Sequence, residues 1–191
     1  YDYFHINSVE LDSDGNLLVS ARHTHAVYKI RRSDGKVIWR LGGKKSDFSF
    51  GPGARFSWQH DARRQADGTL TLFDNGSDQP RKGLQSRALT LRLDRAAHRA
   101  TLVRAYAHTP PLLSTTQGNA QVIPGGHVFV GWGSTPSFTE YSADGRILLD
   151  GSFGGEGADS YRAFRVAWTG TPTTRPSLVV QPAPDGRFTA Y

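Results

Sequence analysis

"VELDSDGNLLVSAR", residues 9–22, alternates apolar and polar side chains on both sides of an Asp14-Gly15 pair. A period of two indicates a half-buried strand, and Asp-Gly between two such runs is typical of a two-residue hairpin turn of type I′. Two further segments share this organisation: "ARRQADGTLTLFDN" (62–75) around Asp67-Gly68, and "AQVIPGGHVFVGWG" (120–133) around Gly125-Gly126. The sequence therefore predicts three hairpins of one design.

A second hairpin follows each of these. The segments are "AVYKIRRSDGKVIWRLGG" (26–43), "ALTLRLDRAAHRATLVRAY" (88–106) and "FTEYSADGRILLDGSFGG" (138–155). Each unit is then four strands, and the turn glycines Gly15, Gly68 and Gly126 lie 53 and 58 residues apart. This period suits one propeller blade and its connecting loop. We predict an all-β fold, a β-propeller of four-stranded antiparallel blades, with a β-sandwich or another meander sheet as the alternative.

The domain prediction is a single β-propeller over residues 1–191. Its blade units cover about 5–45, 58–107 and 117–154, with a partial unit at 162–191. About three and a half blades do not close a ring, and closure is what protects the edges of this fold. We therefore expect the chain to be part of a longer polypeptide with further blades, or to be completed by a partner such as a second copy.

Composition narrows the possible functions. The net charge is +6, but the arginines are scattered along the chain, whereas a nucleic-acid surface usually shows clustered basic residues, so no nucleic-acid partner is predicted. No apolar run is long enough for a membrane span. The chain has no cysteine, which excludes a disulfide framework and a thiolate metal site.

The predicted hairpins place polar residues together. With a two-residue turn, residues equidistant from the turn face each other. Three pairs follow from this: His60 opposite Asn75, Asn7 opposite Arg22, and Gly118 opposite Gly133. His5 lies two residues beyond Asn7 on the same strand face. If the first strand of each unit is innermost, these side chains lie at one mouth of the central channel.

This cluster has one candidate nucleophile and several anion ligands. A neutral His60 imidazole can form a covalent intermediate, the Arg22 guanidinium can bind two oxyanion oxygens, and His5 and Asn7 can each donate one hydrogen bond. Such donors suit the transfer of a sulfuryl or phosphoryl group between oxygen and nitrogen.

Structural roles remain open for the same residues. His60 could cap a loop, Arg22 could pair with Asp61 or Asp74, and Asn75 could serve turn chemistry. The pair His23 and His25 shows no third metal ligand nearby, so we expect neither a metal nor another cofactor.

Four segments resemble the arylsulfotransferase family, in particular its second branch, found in actinobacteria and eukaryotes. They are "DYFHINSVELDSDGNLLVSARHTHAVYKI" (2–30), "FSWQHDARRQADGTLTLFDNG" (56–76), "STTQGNAQVIPGGHVFVGWGS" (114–134) and "YRAFRVAWTGTP" (161–172). The resemblance implies a six-bladed propeller that moves a sulfuryl group from an aryl sulfate to a phenol. The route is ping-pong, through a sulfohistidine, without a nucleotide sulfate donor.

The resemblance also assigns residues. The family nucleophile falls on His60, and a site threonine falls on Thr116, with Thr115 as the alternative. The sulfate-binding residues fall on His5, Asn7 and Arg22. A further family histidine, from an upstream blade, has no counterpart here. The implied partners are small aryl sulfates and phenols, and the implied location is secreted or periplasmic. The alternative is a propeller that binds an anion or another ligand without turnover.

Overall fold

A first four-stranded sheet opens the fold. The structure is a computed structural model that describes residues 2–78, 81–83, 85–155, 157–171, 173–174, 180–182 and 188–190. The strands of the first sheet are β1 Ile6–Leu11, β2 Leu17–Ala21, β3 Ala26–Ile30 and β4 Val37–Gly42. Each pairs antiparallel with the next along the chain. This is the meander expected for one blade.

The second sheet repeats this meander and gains an edge strand. The strands in this part of the chain are β5 Ser49–Phe50, β6 His60–Arg64, β7 Leu70–Asp74, β8 Ser77–Asp78, β9 Arg81–Lys82, β10 Arg87–Asp94 and β11 Arg99–Tyr106. The sheet has the order β5-β11-β10-β7-β6, and β5 runs parallel to β11. Strands β8 and β9 form a separate two-stranded ribbon.

The third sheet is again a four-stranded antiparallel meander. Its strands are β12 Asn119–Ile123, β13 His127–Gly131, β14 Ser137–Tyr141 and β15 Ile147–Ser152. Further on, β16 Val180–Pro182 pairs with β17 Phe188–Ala190. Most of the second half of the predicted partial unit at 162–191, including its turn, lies outside the described residues, and the domain boundaries stay a prediction.

The predicted all-β class and the four-stranded units are confirmed, and the sheets formed by the described residues do not close into a ring. Two apolar clusters hold neighbouring sheets together. One joins the first two sheets and includes Leu18, Leu41 and Leu72, while the other lies between the second and third sheets around Phe73 and Trp132. Within the described part of the chain, no helix is long and apolar enough to cross a membrane.

The prediction of two-residue type I′ turns was wrong for the Asp-Gly hairpins. In the first, the Asp12 N–H donates to the Asn16 carbonyl (2.7 Å) and the Gly15 N–H donates to the Asp12 carbonyl (2.8 Å). Gly15 has a φ of 78°, whereas Asp14 is not in the left-handed region. This is a three-residue loop with glycine at the bulge position. The loop around Gly68 has the same two hydrogen bonds, between Gln65 and Thr69 and between Gly68 and Gln65.

The longer loops displace the predicted cross-strand pairs. His60 pairs with Phe73 rather than with Asn75, and a bulge follows it. Asn7 lies in a bulge of β1 between the Ile6–Ala21 and Ser8–Ser20 pairs, so it is not opposite Arg22. The third ladder ends at Asn119–Gly131, so Gly118 and Gly133 are not ladder partners.

Candidate active site

The candidate site lies where β1 of the first sheet meets β6 of the second. The Asn7 side chain in β1 donates through Nδ2 to the Gln59 carbonyl (2.7 Å), just before β6. One residue further, the Ser8 hydroxyl accepts from the Ala62 N–H (3.1 Å). These bonds hold β1 against β6. They place His60, the first residue of β6, at the seam between the two sheets.

Hydrogen bonds determine the tautomer of His60. The Asn75 side chain donates through Nδ2 to the carbonyls of Ser114 (2.8 Å) and Gln117 (3.0 Å), which leaves its oxygen as an acceptor. His60 Nδ1 lies 2.8 Å from that oxygen and 3.1 Å from the Trp58 carbonyl, so Nδ1 carries the proton. The Gln117 N–H donates to Nε2 (3.2 Å). The ring is therefore neutral, with its lone pair on Nε2.

Burial keeps His60 in this neutral form. The residue is 3% exposed. Its pKa is lowered from 6.5 to about 4, mainly because burial desolvates the charged form; the hydrogen bonds to Asn75 and Trp58 oppose this shift, and the charges of Arg22 and His5 add to it. At neutral pH the lone pair on Nε2 is not lost to a proton.

Arg22 follows β2 and is 7% exposed. Its guanidinium donates to His23 Nε2 (2.8 Å) and to the Thr115 carbonyl (3.1 Å), and its Cζ lies 3.3 Å from the centroid of the Trp58 ring. Burial lowers the Arg22 pKa to about 10, which still leaves it charged at neutral pH. A buried cation hydrogen-bonded to neutral groups is available to an anionic ligand.

The two proposed structural partners of Arg22 are bonded to other arginines. Asp61 lies 2.8 Å from Arg63 and 3.2 Å from Arg162. Asp74 lies 3.0 Å from Arg87. The structural alternative, in which Arg22 pairs with one of these carboxylates, is not observed.

Several polar atoms at this seam are buried and have no hydrogen-bond partner among the described residues. They include Asn7 Oδ1, Arg22 Nε and Gln117 Oε1. Buried polar groups in folded proteins are nearly always hydrogen-bonded, so a group of exceptions is typical of a site that binds something. Arg22 Nε is a donor on a cation and therefore suits an oxyanion.

The remaining predicted residues lie around this seam. His5 is exposed and its Nδ1 lies 2.5 Å from an Asp2 carboxylate oxygen. Thr116 is half-buried, and its carbonyl accepts from Ser134 N–H (3.2 Å) and the Ser114 hydroxyl (2.9 Å). Of the two alternative threonines, Thr115 is the one whose carbonyl contacts Arg22.

Sequence reasoning missed other residues at the seam. The Tyr161 ring lies edge-on to His60 with centroids 6.4 Å apart, and its hydroxyl donates to the Asn7 carbonyl (3.2 Å). Arg162 donates to the same carbonyl (2.7 Å). Both come from a segment without regular structure, so hairpin geometry could not place them. The family-like "YRAF" segment was the available signal.

One cluster has the composition of a metal site. The ligand atoms of Asp2, His5 and His23 lie within 4.8 Å of one another. His23, however, accepts from Arg22 at Nε2 and lies 2.5 Å from the Asp2 carbonyl at Nδ1. Both ring nitrogens of His23 are therefore engaged. The expectation of no metal stays a prediction.

Backbone strain is concentrated at the same seam. Six non-glycine residues in the described part of the chain have a positive φ, a conformation that L-residues rarely adopt. Five of them belong to the site or its rim: His5, His25, Trp58, Asp61 and Gln117. Such conformations cluster at functional sites, where the surrounding structure holds them in place.

Comparison with solved structures identifies the class of fold. A streptogramin B lyase matches with a TM-score of 0.55 and 10% identity, over 100% of this chain and 55% of that one. Virginiamycin B lyase from Staphylococcus aureus matches with a TM-score of 0.52 and 9% identity, over 97% and 55%. A catalytically inactive variant of the S. aureus lyase with quinupristin matches with a TM-score of 0.51 and 11% identity, over 98% of this chain and 48% of that one. These neighbours are β-propeller-like, which confirms the propeller prediction.

The chain spans about half the length of these structures, and identities this low show the fold alone.

The family of the chain is shown by its sequence. The family model described as Arylsulfotransferase (ASST) matches residues 1–154, and the chain belongs to this family. A comparison with curated proteins found no significant match.

Proposed function

We propose that this protein transfers a sulfuryl group from an aryl sulfate to a phenol, with His60 as the nucleophile. The observation that carries the proposal is the Nε2 lone pair of a neutral, buried imidazole, oriented by Asn75. Family membership supports sulfotransferase chemistry in general. As the family implies, the proposed place of action is outside the cytoplasm.

In the first half-reaction, His60 Nε2 attacks the sulfur of the aryl sulfate. An N–S bond forms, the bond between sulfur and the aryl oxygen breaks, and a phenolate leaves. The negative charge of the transferred group is spread over its oxygens, and Arg22 supplies fixed positive charge next to them. Its unpartnered Nε is the donor that would bind one of those oxygens.

In the second half-reaction, the oxygen of an acceptor phenol attacks the sulfur of the sulfohistidine. The N–S bond breaks and its electron pair returns to Nε2. Over the whole cycle, the proton lost by the acceptor phenol balances the proton gained by the phenolate that left first. The imidazole therefore ends in its starting form.

Access to Nε2 requires a local movement. In this structure Nε2 accepts the Gln117 N–H, and the Tyr161 ring lies against the imidazole. We propose that the 115–117 segment shifts when the donor binds, which also moves the Thr115 carbonyl away from Arg22. The Gln117 N–H is then free to donate to a sulfuryl oxygen.

A binding propeller without turnover is the second candidate. The observation that favours it is the burial of His60, which is 3% exposed. In that case Arg22 and its neighbours hold an anion, and His60 is a structural imidazole. The two candidates differ in whether a covalent intermediate forms.

Incubation with 4-methylumbelliferyl sulfate distinguishes them. The proposal predicts a burst of 4-methylumbelliferone and, by mass spectrometry, a sulfuryl adduct on the peptide that contains His60. His60→Ala should abolish both, while His98→Gln, on an exposed hairpin, should keep both. Equal signals from the parent protein and His60→Ala would refute transfer through His60. A matched aryl phosphate tests whether the group moved is phosphoryl instead.

A further inference from the structure

A cavity of about 900 Å³ opens beside the candidate site, between the β2–β3 turn and the connection that follows β4. Four cationic side chains line it, those of Arg40, Lys44, Lys45 and Arg55, together with the carboxylate of Asp78. We call it the basic pocket. Its volume is in the range of small-molecule sites.

The positive charge of the basic pocket is only partly neutralised. Arg40 lies 3.7 Å from Asp47, at the long end of an ion pair. Lys44 and Lys45 are exposed, and neither has an ion pair among the residues that the structure describes. A concave surface with excess positive charge raises the local concentration of anions.

Two histidines connect the basic pocket to residues of the candidate active site. His23 lines the pocket and accepts a hydrogen bond from Arg22. His25 also lines the pocket, and its Nδ1 accepts from the Trp58 N–H (3.2 Å). Burial lowers the His25 pKa, so the positive charge comes from the lysines and arginines rather than from His25.

We infer that the basic pocket binds the acidic substituent of an aromatic substrate, namely a phenol or aryl sulfate that carries an additional carboxylate or sulfonate. This inference deepens the proposed function, since it names the class of substrate. Tyr28 supplies an aromatic surface in the same cavity, and the cations supply the charge. Electrostatic complementarity of this kind acts mainly on specificity.

The test measures binding in His60→Ala protein, where transfer through His60 cannot occur. The two ligands are 4-methylumbelliferone and 7-hydroxycoumarin-4-acetate, which differ by one carboxylate and are both fluorescent. We expect the acid to bind more tightly. The additional changes Lys44→Gln and Lys45→Gln should weaken binding of the acid by about five-fold, since two exposed ion pairs are lost. The affinity for the neutral compound should stay unchanged.

A matched control removes two positive charges elsewhere. Arg32 and Lys36 are exposed on the β3–β4 hairpin, at the opposite end of the first sheet from Lys44. Arg32→Gln with Lys36→Gln should leave both affinities unchanged, and circular dichroism should show that each variant is folded. Equal affinity for acid and neutral ligand, or equal weakening in both double variants, would overturn the inference. Absence of a sulfohistidine would overturn only the transfer mechanism.

Discussion

His60 and His108 are both buried histidines of this protein, 3% and 8% exposed. Each ring packs edge-on against an aromatic side chain, His60 against Tyr161 at 6.4 Å and His108 against Trp132 at 5.7 Å. By burial and packing alone they are equivalent. Their hydrogen bonds make them different.

His108 has an acceptor at each ring nitrogen. Nδ1 lies 2.6 Å from the Pro110 carbonyl, and Nε2 lies 3.1 Å from an Asp150 carboxylate oxygen. Both ring nitrogens therefore face acceptor oxygens. His60 has acceptors at Nδ1 but a donor, the Gln117 N–H, at Nε2. The partner of the second nitrogen decides whether a buried imidazole offers a lone pair.

The largest expected effect is that of replacing His60, the proposed nucleophile. His60→Gln should lower kcat/KM for aryl sulfate transfer by at least about 10⁴-fold, as loss of a covalent nucleophile does. His108→Gln should leave turnover within a few-fold and reduce the free energy of unfolding by about 1–3 kcal/mol, since the two hydrogen bonds of the buried ring are lost. Steady-state kinetics and urea unfolding measure the two. Comparable loss of turnover in both variants would contradict the distinction.

The next effect concerns the group that orients His60. Asn75→Ala leaves Nδ1 with the Trp58 carbonyl alone, so we expect kcat/KM to fall by about 10²-fold. Asn75→Asp places a carboxylate beside Nδ1 and raises the His60 pKa, which should move the acid limb of the kcat/KM profile towards neutral pH.

Ser86→Ala is the matched control for Asn75. The Ser86 hydroxyl donates to the Asn75 main-chain carbonyl (2.8 Å) and is fully buried, but it is not hydrogen-bonded to the His60 ring. It should lower stability without moving the pH profile. A profile that shifts in Ser86→Ala, or that stays fixed in Asn75→Asp, would remove the assigned role of Asn75.

A third effect is the pH dependence of stability. The folded-state pKa of His60 is about 4, below the ordinary value of 6.5. Between these values the unfolded chain binds a proton that the folded protein does not, so stability falls as pH falls from 6.5 to 4. The full loss is about 3 kcal/mol. Urea unfolding between pH 4 and 7 should show a shallower slope for His60→Gln than for the parent. Equal slopes would mean that His60 is solvated in solution.

The smallest expected effect concerns Asp150, the hydrogen-bond partner of His108. Asp150→Asn removes the charged acceptor at His108 Nε2 and alters the bond from the Thr139 hydroxyl (2.7 Å). We expect a loss of about 1 kcal/mol in the free energy of unfolding and unchanged kcat/KM. A drop in turnover here would show that the third sheet is coupled to the candidate site.

The hairpins were predictable from the sequence, but their registers were not. Asp-Gly is compatible with a two-residue type I′ turn and with a three-residue loop whose glycine has a positive φ. The loop around Gly15 is of the second kind, and the bulge at Asn7 shifts the ladder again. An alternation of apolar residues does not reveal a bulge, because one extra residue leaves both flanking patterns intact.

Residues of the site that lie on a strand or directly next to one were easier to predict than those on loops. His60 and Asn75 were expected to be neighbours, and they are hydrogen-bonded although they are not a ladder pair. Gln117 and Tyr161 lie in connections without periodicity. Their approach to His60 depends on contacts 57 residues away or more along the chain, for which a single sequence carries no local signal.

The positive-φ residues around His60 have a consequence for attempts to make this protein more heat-resistant. A left-handed conformation costs an ordinary residue about 1 kcal/mol that glycine does not incur. Replacement of Gln117, at φ 64°, by glycine would therefore relieve local strain and also loosen the peptide that faces Nε2. Selection for thermal stability alone is expected to favour such glycines. The resulting variants should have a higher free energy of unfolding and a lower turnover rate.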